Sequence, residues 1–112
     1  MEFRELVAAR QEYQDLLWQV AGQVAAQLYS YGVHKVILFG SVPQGKARLE
    51  SDVDLLVIWE TNLPPPERTA ALYRVLGPQP VPVDLIVLTP QEADIRCRSA
   101  FGRQIFQEGV LL

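Results

Sequence analysis

F-G-S-V-P-Q-G-K-A-R-L-E-S-D-V-D-L-L-V-I, residues 39–58, decides the reading of this chain. A Gly-Ser turn stands upstream, and Asp52 and Asp54 stand at the mouth of an apolar strand downstream. On a strand, residues two apart point to one side, with Cα atoms about 6.6 Å apart, so both carboxylates face one way. Adjacent carboxylates repel, and each stays ionised cheaply only when a cation or a set of donors lies between them. A hard divalent metal is the simplest occupant. Mg2+ fits best, because it takes oxygen ligands, accepts one or two carboxylates and completes its shell with water and substrate phosphate. The turn supplies the complementary half. Gly40 lets the backbone approach closely, while the Ser41 hydroxyl and the N–H groups after it suit phosphate oxygens.

A third carboxylate belongs with this pair. Asp84 is the only charge in the apolar run P-V-P-V-D-L-I-V-L, and a lone buried carboxylate is costly unless it is paired or metal-bound. With its strand beside that of Asp54, Asp84 would share a second ion and take the proton of an acceptor hydroxyl.

Working outward, residues 34–39 read as a first strand ending at Gly40-Ser41, residues 52–59 as a second and residues 81–88 as a third. The near-continuous apolar character of the last two predicts burial on both faces. Ser41 and Gln44 have the spacing of a capping box, which predicts a short helical turn ending near Gly45. Leu6, Tyr13, Leu17, Val20, Val24 and Leu28 mark one stripe of a leading helix over residues 4–31, stopped by Gly32. A Pro-opened helix spans residues 65–76, closed by Gly77. Thr89, Pro90 and Glu92 start a last helix predicted to run to Glu108, before Gly109. Val110-Leu111-Leu112 is either a short edge strand or part of a contact surface.

The 112 residues suit one domain, 1–112, since a second core would need roughly 50 residues more. With 49% hydrophobic and 21% charged residues the composition is globular. A net charge of −3 argues against a broad electrostatic grip on nucleic acid. No apolar run approaches the roughly 18 residues of a membrane span. One cysteine, Cys97, makes no internal disulfide, and the start M-E-F-R-E-L has no signal-segment character, so the cytoplasm is the expected compartment.

Gly40-Ser41, ten residues from Val42 to Ser51, then Asp52-Val53-Asp54 resembles the signature of the nucleotidyltransferase superfamily with the DNA polymerase beta-type fold. Gly45 and the S-D-x-D-L-x-V continuation from Ser51 to Val57 match as well, and the small size is similar to its minimal branch, the MNT-domain proteins. The resemblance implies an α/β (α+β) fold with a small mixed sheet flanked by helices, holding Mg-ATP. It implies Asp52 and Asp54 as metal ligands and Asp84 as the third carboxylate. An acceptor hydroxyl would attack the α-phosphate and expel pyrophosphate. Members of the minimal branch are commonly antitoxins that silence a HEPN-domain ribonuclease toxin by transferring AMP to a toxin tyrosine.

Other readings stand beside this one. Lys46 and Arg48 either steer a triphosphate or are solvated loop residues. His34 opens a strand, and Cys97 is a packing or surface residue. Trp18, Trp59 and the tyrosines read as core or interface, and which of them covers a base is open. Three functions compete: transfer to a partner protein, an antitoxin that acts by binding alone, and transfer to a small-molecule hydroxyl. Brevity favours an acceptor presented by another chain, and the first helix and apolar tail offer docking or self-association surfaces.

Overall fold

The computed structural model describes residues 2–112. Its elements are α1 (Phe3–Tyr31), β1 (Lys35–Phe39), β2 (Val53–Ile58), α2 (Pro65–Leu76), β3 (Val83–Leu88), α3 (Pro90–Arg96), α4 (Ala100–Glu108) and β4 (Val110–Leu111). The strands form one mixed sheet in the order β3-β2-β1-β4, with β2 and β3 parallel and the other pairings antiparallel. The tail is thus an edge strand, as one of its two readings expected.

Alternation along the strands sorts the side chains onto two faces. Val36, Leu38, Val53, Leu55, Val57 and Val87 pack with α1 and α2 in the main core. The opposite face carries Ile37 and Leu56, which close a smaller cluster with Ile105 of α4, flanked by Phe39 and Leu88. Central β2 is apolar on both faces because helices cover both. β3 departs from expectation: as an edge strand it exposes Asp84 and Ile86. Its free edge is blunted by Tyr73 of α2, whose hydroxyl donates to the Val83 carbonyl at 2.9 Å and accepts from Leu85 N–H at 3.0 Å.

α1 buries Leu17, Val20, Ala21, Val24, Ala25 and Leu28, ending at Gly32 in the left-handed region. Its first turns stand beyond the core, with Phe3 and Val7 exposed. The expected last helix is two helices. After Arg96 the chain turns through Cys97 and Arg98, and Ser99 caps α4 by accepting from Gly102 N–H at 3.0 Å. The predicted capping box at Thr89 and Glu92 is formed. The break re-aims α4 so that Ile105 reaches Ile37 and Leu56, which a straight continuation of the short α3 would not do.

Arg68 is the buried charge that pattern reading missed. It lies on α2, 5% exposed, paired with Glu92 and donating twice to the Leu63 carbonyl. Glu92 also accepts from Thr89 N–H. One carboxylate therefore joins the cap of α3 to α2 and the loop before it. These backbone bonds and the arginine hold the Glu92 carboxyl below its ordinary pKa, despite the opposing effect of burial. Loss of amphipathic periodicity at Arg68 was the only sequence signal available.

Candidate active site

The backbone register assembles the site. Asp54 lies directly opposite Asp84 on β3 and directly opposite Phe39 on β1. Cross-strand partners share a face, so a row Phe39, Asp54, Asp84 crosses the sheet on the side of Leu56 and α4. Asp52 precedes β2 and lies close enough to Asp84 for that carboxylate to raise its pKa. The three sequence-predicted carboxylates are together.

Asp84 reaches this place for a different reason from the one inferred. It is exposed, so no burial cost forces it to find a partner. Parallel pairing alone sets it beside Asp54. Desolvation, then repulsion from Asp84 and Asp52, pushes the Asp54 carboxyl up to about 6. Desolvation and the nearby Asp84 carboxylate raise Asp52 as well. Negative charge is crowded beside the Gly-Ser turn, and among the described residues none of the three carboxylates is in an ion pair.

Gly40 fixes the turn against that charge. Its φ is +84°, and a β-carbon there would fall on the Asp54 carboxylate. The next residues form tight turns, not the expected helical turn: Lys46 N–H bonds the Ser41 carbonyl at 2.9 Å and Gly45 N–H the Val42 carbonyl at 3.1 Å. Gln44 does not close a capping box, because its amide donates to Glu108 on α4 at 2.8 Å. Among the described residues the Ser41 hydroxyl and the N–H groups of Ser41, Val42 and Gln44 have no protein hydrogen-bond partner. Val42 is fully buried, so the Ser41 hydroxyl and the N–H groups of Ser41 and Gln44 are the donors left for an anion.

The loop is tied from behind. Gln14 of α1 donates to the Val42 carbonyl at 2.9 Å, Tyr13 donates to the Ser51 carbonyl at 3.0 Å, and Ser51 Oγ accepts from Arg48 N–H at 2.8 Å. Gly45 has φ +69° and serves the turn. Lys46 and Arg48 lie exposed on the loop, and among the described residues neither side chain is in an ion pair. Of the residues singled out, Asp52, Asp54, Asp84, Gly40 and Ser41 come together, with Gly45, Lys46 and Arg48 along the rim loop.

The donor set suits a hard cation in kind: three oxygen-bearing groups whose repulsion such an ion would relieve. Among the described residues no three His, Cys, Asp or Glu side chains are already grouped as a metal cage. Clefts open on either side of the loop. One of about 160 Å³ runs between Gly40 and α4, and one of about 470 Å³ lies against α1 beside Trp18 and Gly45. A further cavity of about 480 Å³, lined by His34, Lys35, Glu60, Asp94 and Cys97, is at the other end of the strands and has no part in this chemistry. Among the described residues no helix is long and apolar enough to cross a membrane.

A four-stranded mixed sheet with a Gly-Ser turn facing paired strand carboxylates defines a nucleotidyltransferase fold. Residues 23–112 match the family described as "Polymerase beta, Nucleotidyltransferase", and the chain belongs to that family. It is similar in structure to a candidate nucleotidyltransferase from Sulfolobus solfataricus, at 24% identity and TM-score 0.65, covering 89% of this chain and 82% of that one. It is also similar to a candidate minimal nucleotidyltransferase, at 28% identity and TM-score 0.56, covering 88% of this chain and 95% of the other. None of the curated proteins compared with it is a match.

Proposed function

We propose that the chain is a Mg-dependent nucleotidyltransferase that moves AMP from ATP to a hydroxyl of a partner protein. The observation that carries this reading is the meeting of Asp52, Asp54 and Asp84 on one sheet face, with the unpartnered donors of the Gly40-Ser41 turn alongside. Asp52 and Asp54 would hold the metal, which when bound supplies charge neutralisation at the triphosphate. The Ser41 hydroxyl and the free N–H groups of the turn orient phosphate oxygens. Asp84, which is exposed, would accept the proton of an incoming hydroxyl. The acceptor oxygen forms a bond to the α-phosphorus, the α–β phosphoanhydride bond breaks, pyrophosphate leaves and the proton passes to Asp84.

The acceptor in this reading is a tyrosine of a HEPN-domain toxin, on the strength of the resemblance to the minimal branch. The match in size to a candidate minimal nucleotidyltransferase supports it. The test is the intact mass of such a toxin after incubation with the chain, ATP and Mg2+, beside an Asp52→Ala, Asp54→Ala control. Whole AMP units gained only with the unmodified chain are expected. A stable complex with no mass change would replace transfer by neutralisation through binding.

A further inference from the structure

We propose that Phe101 is the platform on which the nucleobase stacks, and that the cleft it shares with the Gly40 turn takes adenine. The inference rests on the nucleotidyl-transfer reading above and deepens it. Sequence reading offered tryptophans and tyrosines for this role, and the structure puts a phenylalanine there.

Phe101 stands on the first turn of α4, and its ring meets Phe39 edge-on, with centroids 6.2 Å apart and planes at 88°. Phe39 is the cross-strand partner of Asp54. The aromatic pair therefore borders the carboxylates on the face to which Asp54 and Asp84 project. Phe39 is partly buried by this packing, whereas Phe101 is 56% exposed. A large apolar ring held in water beside a charged site gains by being covered, and stacking suits it because a base offers a flat π-face.

The position of Phe101 is fixed rather than incidental. Ser99 caps the helix that carries it, and the backbone of Arg96 packs so tightly on Gly102 that no β-carbon fits there. The cleft of about 160 Å³ between Phe101 and Gly40 is floored by Phe39 and rimmed by Gln44, Gln104 and Glu108. That volume is near five times the liquid share of a water, about 30 Å³, which suits a base and not a whole nucleotide. With phosphates on the donors of the Gly40-Ser41 turn, the base end of the same molecule has this slot at hand.

The rim has a readable polarity. Gln44 Nε2 and Gln104 Nε2 both donate to Glu108 Oε2, at 2.8 and 3.3 Å. An ionised carboxylate only accepts, so it fixes the amide nitrogens toward itself and leaves the amide oxygens as acceptors. Acceptors at a cleft edge suit the exocyclic amino group of adenine. Guanine sets its O6 acceptor at that position and carries its donors, N1–H and the 2-amino group, further along the edge, so the preference for adenine rests on what meets the six-position.

Binding of Mg-ATP, Mg-GTP and Mg-tripolyphosphate is measured by calorimetry on the unmodified chain and on Phe101→Ala, Phe101→Trp and Trp18→Leu variants. Phe101→Ala should weaken ATP about tenfold or more while leaving tripolyphosphate within about twofold, and Phe101→Trp should restore ATP. The unmodified chain should favour ATP over GTP by at least about tenfold. Undiminished ATP binding by Phe101→Ala, parallel loss of tripolyphosphate, equal binding of GTP, or the loss appearing in Trp18→Leu instead would each overturn the assignment. Failure of the unmodified chain to bind either ATP or tripolyphosphate would overturn the transferase reading itself.

Discussion

Asp54 and Asp84 face each other across the parallel pairing of β2 and β3, although 29 residues and a helix separate them along the chain. Their proximity costs folding energy. Carboxylates packed together in a partly desolvated place ionise reluctantly, and the Asp54 carboxyl is pushed up to about 6.

The sign of the resulting pH dependence follows from linkage. The folded-state value of Asp54 lies above its ordinary 3.8, so its stabilising contribution is complete below about 3.8 and is lost as pH rises through about 6. Asp54→Asn should therefore be more stable than the unmodified chain at pH 8, by about 1 kcal/mol once solvent screening is allowed for. The advantage should shrink toward pH 4. Urea denaturation at the two pH values checks this, and transfer by the variant should fall at least about a hundredfold, because a neutral amide is a poor ligand for Mg2+.

Asp84→Asn should separate binding from turnover. The residue is exposed on an edge strand and repels Asp54, so the melting temperature should hold or rise slightly. If it takes the acceptor proton, kcat falls by about two to four orders of magnitude while the ATP dissociation constant stays within a few-fold. An equal loss of both would make Asp84 a ligand only.

Gly40→Ala should damage fold and site together. A β-carbon at φ +84° is strained by about 1–3 kcal/mol, and it also displaces the Asp54 carboxylate. Lower thermal stability and loss of nearly all transfer are expected. Gly45→Ala meets no neighbouring atom within 4 Å, so backbone strain alone should apply there, at about 1 kcal/mol, measurable by the same melts.

Ser99→Ala removes the cap of α4. The expected cost is about 1 kcal/mol in denaturant titrations. The two helices should not fuse, since Gly102 lies against the Arg96 backbone and Ile105 is held in the core beneath.

Glu92→Gln leaves the guanidinium of Arg68 buried without an opposite charge, facing only neutral acceptors, the new amide oxygen and the Leu63 carbonyl. About 1–3 kcal/mol should be lost near pH 7. The carboxyl is held below its ordinary 4.5, so its contribution is present above that value and lost on acidification below it. The difference between variant and parent should narrow accordingly in melts below pH 4.

Local physics made much of this protein legible from its sequence. Short apolar runs rich in strand formers marked β1, β2 and β3, Gly32 and Gly77 stopped their helices, and Thr89, Pro90 and Glu92 opened α3. The pairing of Gly40-Ser41 with Asp52 and Asp54 was readable because turn and strand are contiguous, so short-range geometry sets one against the other. Four features needed the tertiary structure. The chain leaves one helix after Arg96 and starts another at Ser99, a choice the sheet makes by drawing Ile105 onto Ile37 and Leu56. Arg68 reads as a surface residue until α3 brings Glu92 to it. Asp84 joins the site through strand register, and Phe101 through the packing of α4, both of them long-range pairings. A chain sequence states what each segment prefers by itself, whereas the distances between segments are set only when the core closes and one packing satisfies them all.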